Sequence, residues 1–194
     1  MGLHPKKESA QSGKVIFQKV LETARGGFTL DPSGLSEGNV IPAGTPISFD
    51  ETTRKARILK TAKVYETAGG SATTYKVEKG HLLKVGEYAG ATVGGPAYAI
   101  TAIDTSNSAY DTITVGTTIG AASAGAALFQ SSATGASSAA LMVTAKGLSW
   151  DDVEYAEDAS VSVVLRGTLY ARRAPAVPSS VVTGLPLIIF SNSY

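Results

Sequence analysis

The sequence predicts an all-β fold, an antiparallel β-barrel or sandwich-like domain with an extended N-terminal arm and a hairpin-rich insertion. Three observations carry this. Gly 21 plus Pro 8 gives 29 of 194 residues, a density that favours many turns over long helices. Short runs rich in Val, Ile, Thr and Tyr recur between those turns, as strands require. Near the C-terminus Val161, Val163, Leu165, Gly167 and Leu169 share one parity, while Ser162, Arg166, Thr168 and Tyr170 share the other. That alternation, with Val164 its one exception, describes a strand buried on one face. The length of 194 residues suits one well-cored domain. The expected division is an arm over 1–26 and a single β-rich domain over 27–194, with 71–145 as a candidate inserted hairpin module.

Residues 1–14 read as an extended arm, because Lys6, Lys7 and Lys14 outweigh Glu8 and nothing apolar larger than Leu3 precedes Val15. Val15 to Leu21 fits a helical stripe, yet the β-branched and aromatic Val15-Ile16-Phe17 tips it toward strand or irregular structure. Gly26-Gly27 ends it. Asp31-Pro32-Ser33-Gly34 is a turn, with φ preset by proline and a tight exit through glycine. Pro42 and Pro46 lack an N–H, which places Val40 to Ile47 at a sheet edge or in a crossing loop. Lys55 to Glu66 is one strand-like run.

Tyr75 to Glu78 alternates, Lys79-Gly80-His81 turns, and Leu83 and Val85 resume the alternation, which predicts a hairpin with His81 at its tip. Tyr98 to Ile103 and Asp111 to Val115 are two further strands, joined by the polar turn 104–108. The small-residue stretch 120–140 reads as a compact loop or short helix anchored by Leu128 and Phe129. After the strand through 161–170, Pro175 and Pro178 interrupt. The apolar run from Leu185 to Phe190 then predicts a strand covered on both faces, either inside the domain or against a partner.

The inventory excludes much chemistry. With Cys 0 and His 2, disulfide scaffolds, thiolate nucleophiles and multi-histidine metal sites have no residues to build them. The polar start lacks the apolar segment of a secretory signal, and Lys6 stands where a myristoylation pattern needs Ser or Thr. No apolar run is long enough to span a bilayer. A net charge of +1 draws the chain neither to nucleic acid nor to an anionic membrane. Asp151, Asp152, Glu154, Glu157 and Asp158 lack calcium-loop spacing and read as a solvated loop or helix start after Trp150. His81 reads as a turn residue without the carboxylate and nucleophile that catalysis needs. Asp104 and Asp111 read as turn caps. Arg166, Arg172 and Arg173, with Lys55 and Lys60, form a candidate basic strip whose expected use is pairing with carboxylates of an adjacent subunit. The glycine-rich pieces lack the Lys and the strand-to-helix setting of a phosphate loop. No enzymatic activity, cofactor or metal is expected.

Several stretches resemble a known group. YKVEKGHLLKVG (75–86), AYAITAIDTSN and AYDTITVGTTIG, then GTLYARRAPAVP and LPLIIFSNSY, resemble auxiliary capsid (head decoration) and head-fibre proteins of tailed bacteriophages of Bacteroidetes hosts, including crAss-like phages. NVIPAGTPISFD is similar to the opening of many small decoration proteins. The resemblance implies a β-rich structural virion protein, often trimeric, that binds the outer capsid surface and reinforces the shell or anchors a head fibre. It implies the major capsid protein as partner, a homo-oligomer, and synthesis in the host bacterial cytoplasm. The expected capsid or subunit contacts are Lys6, Lys7, Lys14, Arg166, Arg172, Arg173, Leu187, Ile188, Phe190 and Tyr194. The rival reading is a glycan-binding adhesin or fibre base, using Tyr88, Tyr98, Tyr110 and Tyr155.

Overall fold

The computed structural model describes residues 14–193, and the chain is 40% strand and 3% helix, so the all-β expectation holds. In chain order the strands begin with β1 (Phe17–Thr23), β2 (Phe28–Leu30), β3 (Val40–Ile41), β4 (Pro46–Asp50) and β5 (Lys55–Ile58). Then come β6 (Thr61–Lys63), β7 (Thr74–Val77), β8 (Tyr88–Gly90), β9 (Ala97–Asp104), β10 (Asp111–Val115) and β11 (Ala127–Ser131). The chain closes with β12 (Gly147–Ser149), β13 (Val153–Glu154), β14 (Ser160–Val161), β15 (Val163–Tyr170), the short helix α1 (Ser179–Gly184) and β16 (Ile188–Ser191).

These strands sort into two main sheets. The first runs β1-β15-β12-β4-β5-β2-β14, with β16 also on β15, and we call it the body. The second runs β6-β11-β8-β9-β10-β7, so residues 61–131 supply all its strands. It curls until the two ends meet. Val77 bridges Val64, Tyr65 N–H donates to the Lys76 carbonyl at 2.9 Å, and Glu78 N–H to that of Lys63 at 2.8 Å. Inside lie Tyr75, Ile100, Ile113, Ile119 and Leu128, all buried. Tyr75 keeps its hydroxyl satisfied there by donating to the Gly120 carbonyl at 2.8 Å, as a buried phenol must. The body has two clusters, one around Phe28, Ile47 and Val163, the other around Leu59, Leu148, Leu169 and Ile188.

The structure corrects several sequence expectations. Lys55 to Glu66 is two strands in different sheets, because Leu59 and Lys60 turn from the body into β6. Pro46 opens β4, an interior strand between β12 and β5; as its first residue it needs no ladder donor. Residues 81–85 form no strand: β7 pairs with β10, and the chain from Lys79 to Glu87 is a loop. The stretch 120–140 is neither helix nor loop throughout, since β11 lies within it and buries Leu128 and Phe129. Segment 17–23, placed within the 1–26 arm but read as tending to strand, is indeed a strand, and it pairs with the body.

Candidate functional site

The body ends at β1, β15 and β16, which together form a three-stranded face. β15 pairs antiparallel with β1, setting Lys19 opposite Thr168 and Glu22 opposite Arg166. On its other side it pairs parallel with β16, setting Ile189 opposite Thr168 and Phe190 opposite Leu169. Residues opposite one another share a face of the sheet. The outward row therefore joins Ile189, Thr168 and Lys19, with Arg166 and Glu22 beside it. The inward row joins Phe17, Leu169 and Phe190, which pack on the body core.

Two aliphatic side chains stand out on this surface. Leu187 is 58% exposed and Ile189 62% exposed, whereas Ile188 between them is buried. The run from Leu185 to Phe190 is expected to be covered on both faces, inside the domain or against a partner; among the described residues only one face is covered. Fully covering Leu187 and Ile189 against a partner would each contribute about 1.5–3 kcal/mol. Leu21 on β1 is exposed nearby in the same strand set.

β1 is the last strand of its sheet. Its pairing with β15 is irregular in three places, between Phe17 and Lys19, Val20 and Glu22, and Glu22 and Thr23. Such bulges twist an edge and blunt it against further strand addition. Gly167 allows the close approach: a Cβ there would lie 2.5 Å from the Lys19 carbonyl oxygen. The geometry favours contact through the outward face over addition of a new strand.

The sequence-predicted contact residues divide accordingly. Arg166 and Leu187 are exposed on or beside the outward row. Arg172 is exposed in the turn after β15, and Arg173 lays its guanidinium 4.7 Å from the Tyr170 ring centroid. Lys14 is exposed at the entry to β1, on the rim of a groove with Trp150, Asp151 and Asp152. Ile188 points into the core and Phe190 is half-buried against Phe17 and Leu169, so neither is a free contact. Lys6, Lys7 and Tyr194 lie outside the described residues.

The basic strip loses a member. Lys60 is only 2% exposed, its ammonium 2.5 Å from Glu87 Oε1 and donating to the Gly34 carbonyl at 2.7 Å. Gly34 sits at φ +75, and a Cβ there would lie 2.8 Å from Lys60 Nζ, so glycine is required by conformation and by space. The acidic loop after Trp150 is exposed, with Asp152 Oδ1 accepting the Ala43 N–H at 2.7 Å. Among the described residues no group of three metal-ligating side chains converges.

His81 and Asp111 are also corrected. His81 is no hairpin tip: its ring is 6% exposed, and Nε2 lies 3.6 Å from Asp111 Oδ2. Asp111 is no turn cap, because its Oδ1 accepts from Lys79 Nζ at 2.7 Å. Of the tyrosines considered for sugar stacking, Tyr155 is buried and Tyr98 packs against the second core. Tyr110 instead pairs with Tyr65, ring centroids 5.3 Å apart, a partner that spacing alone did not signal. Comparison with protein-family models, curated proteins and solved structures gives no match to this chain.

Proposed function

We propose that this chain is a structural virion protein that binds the outer surface of a phage capsid and reinforces the shell or anchors a head fibre. The observation that carries the reading is the outward face of β1, β15 and β16. Exposed Ile189 on β16 and exposed Leu187 in the turn just before it, beside Arg166, Lys19 and Glu22, fit an apolar contact with a polar rim. The resemblance of the stretches named above supplies the partner. A contact held by a sheet face also orders little chain on binding, which keeps the entropic cost low.

Co-sedimentation with purified shells tests it. Saturable pelleting is expected, and it should be lost on Leu187→Glu plus Ile189→Glu while circular dichroism stays unchanged. Pelleting that ignores both substitutions would overturn the assignment of this face. A glycan-binding reading rests on the Tyr65–Tyr110 pair; sugar binding abolished by Tyr65→Ala, without shell binding, would favour it.

A further inference from the structure

The two sheets meet along the loop between β7 and β8, and this loop is held in an unusual way. Among the described residues, Lys79 to Leu83 makes no backbone–backbone hydrogen bond. Side chains alone fix it. Leu82, half-buried, packs against the body core, and Leu83 is buried in the core of the second sheet. Lys79 Nζ reaches Asp111 on β10 at 2.7 Å and also donates to the Thr105 carbonyl at 3.1 Å. Between these anchors lies His81, buried, with neither ring nitrogen hydrogen-bonded among the described residues.

We propose that His81 is an acid-operated latch on the seam between the two sheets: neutral, its ring packs there; protonated, it loosens segment 79–83. Asp111 is 8% exposed and already neutralised by the Lys79 ammonium. An imidazolium 3.6 Å away places a second cation on one carboxylate, in a site where charge is poorly solvated. The cleft beside it offers little relief. Its charged lining is Lys60, Lys63, Glu78, Lys79 and Arg173, of which Glu78 is paired with Lys63 at 2.7 Å and Lys60 with Glu87. Burial holds the imidazole below its ordinary value of 6.5, opposed by Asp111 and reinforced by Lys79. The sign follows: a depressed histidine contributes stability that is present above pH 6.5 and lost as the pH falls through the folded value.

The test uses the chain's lack of cysteine. A Leu83→Cys variant is labelled with 4,4′-dithiodipyridine, its rate divided by that of a free thiol at the same pH. The ratio should rise as the pH is lowered from about 7.5 to about 5, the direction in which a depressed histidine loses its contribution. It should stay flat when His81→Gln is added. An equal rise in both, or no rise in either, overturns the latch. Should His81→Gln not fold, proton NMR of the wild-type chain decides, since His4 and His81 supply its only imidazole signals. A His81 midpoint at or above 6.5 would sink the proposal; one below it, with shifts in Leu82 and Leu83 methyls at the same midpoint, would sustain it.

Discussion

Leu82 and Leu83 are consecutive in the chain yet belong to different cores, Leu82 to the body and Leu83 to the second sheet. Adjacent residues of an extended segment point opposite ways, so one leucine doublet pins two sheets together. Around it Lys60 bonds Gly34 and Glu87, and Lys84 Nζ donates to Ser36 Oγ at 2.8 Å. The seam is thus stitched by side chains from a loop whose sequence carries a strand-like alternation but which pairs with no strand.

Glu87→Ala should destabilise the chain by about 3–5 kcal/mol, because it leaves the buried Lys60 ammonium with only the Gly34 carbonyl. Lys60→Met should cost less, since the Glu87 carboxylate is 16% exposed and still accepts the Lys84 N–H at 3.0 Å. Urea denaturation of the two variants checks the order; equal losses would show that the pair is not the controlling contact.

Ile188→Ala and Leu187→Ala should separate cleanly despite their adjacency. The first opens a cavity in the body core and should cost about 2–5 kcal/mol. The second removes an exposed side chain and should stay within about 0.5 kcal/mol of wild type. Thermal denaturation of the isolated chain reads both, and a large loss for Leu187→Ala would mean that it is covered in the free protein.

Gly167→Ala should loosen the β1 edge. A methyl there meets the Lys19 carbonyl oxygen and the Val20 Cα at 2.5 and 3.3 Å, backbone atoms that move only if the strand does. Overpacking of this kind costs about 1–3 kcal/mol. Faster amide exchange across β1, with the second sheet unchanged, is the expected signature.

Acid should act in two stages. The His81 stage begins below pH 6.5. Asp31, Asp50 and Asp104 all lie below the ordinary carboxyl value of 3.8, chiefly through the Ser33 hydroxyl, the Thr52 N–H and the Ser106 N–H respectively. Their contribution is present above pH 3.8 and lost as the pH falls through the folded values. The melting temperature followed downward from about pH 7 should therefore fall in two steps, and His81→Gln should remove the upper one only.

What the sequence made legible was local. Alternation over 161–170 marked β15, and the polar turn Asp104 to Ser108 marked the hairpin of β9 and β10 with its Asx turn from Asp104 Oδ1 to the Ser106 N–H at 2.9 Å. The misreadings share a cause, which is that burial is decided by pairing across long separations. Val85 keeps the parity of a strand but finds no partner, because β10 has already taken the edge of β7. Lys60 looks like a surface cation until Glu87 and Gly34 are brought to it. Ile188 and Leu187 are equally apolar on paper, and only the register with Gly167 assigns one to the core. For the contact face, the sequence pointed to Arg166 and Leu187 but missed Ile189 and Lys19, whose places depend on pairing with Thr168.

The strands that lead into and out of residues 61–131 lie side by side, Lys63 opposite Ala127. A segment whose two ends are neighbours behaves as a cassette. Because its first and last paired strands are neighbours, a change of length between them need not displace the ends that the body holds. Leu82 belongs to this segment yet packs, half-buried, against the body core, so a change there is felt in the body as well.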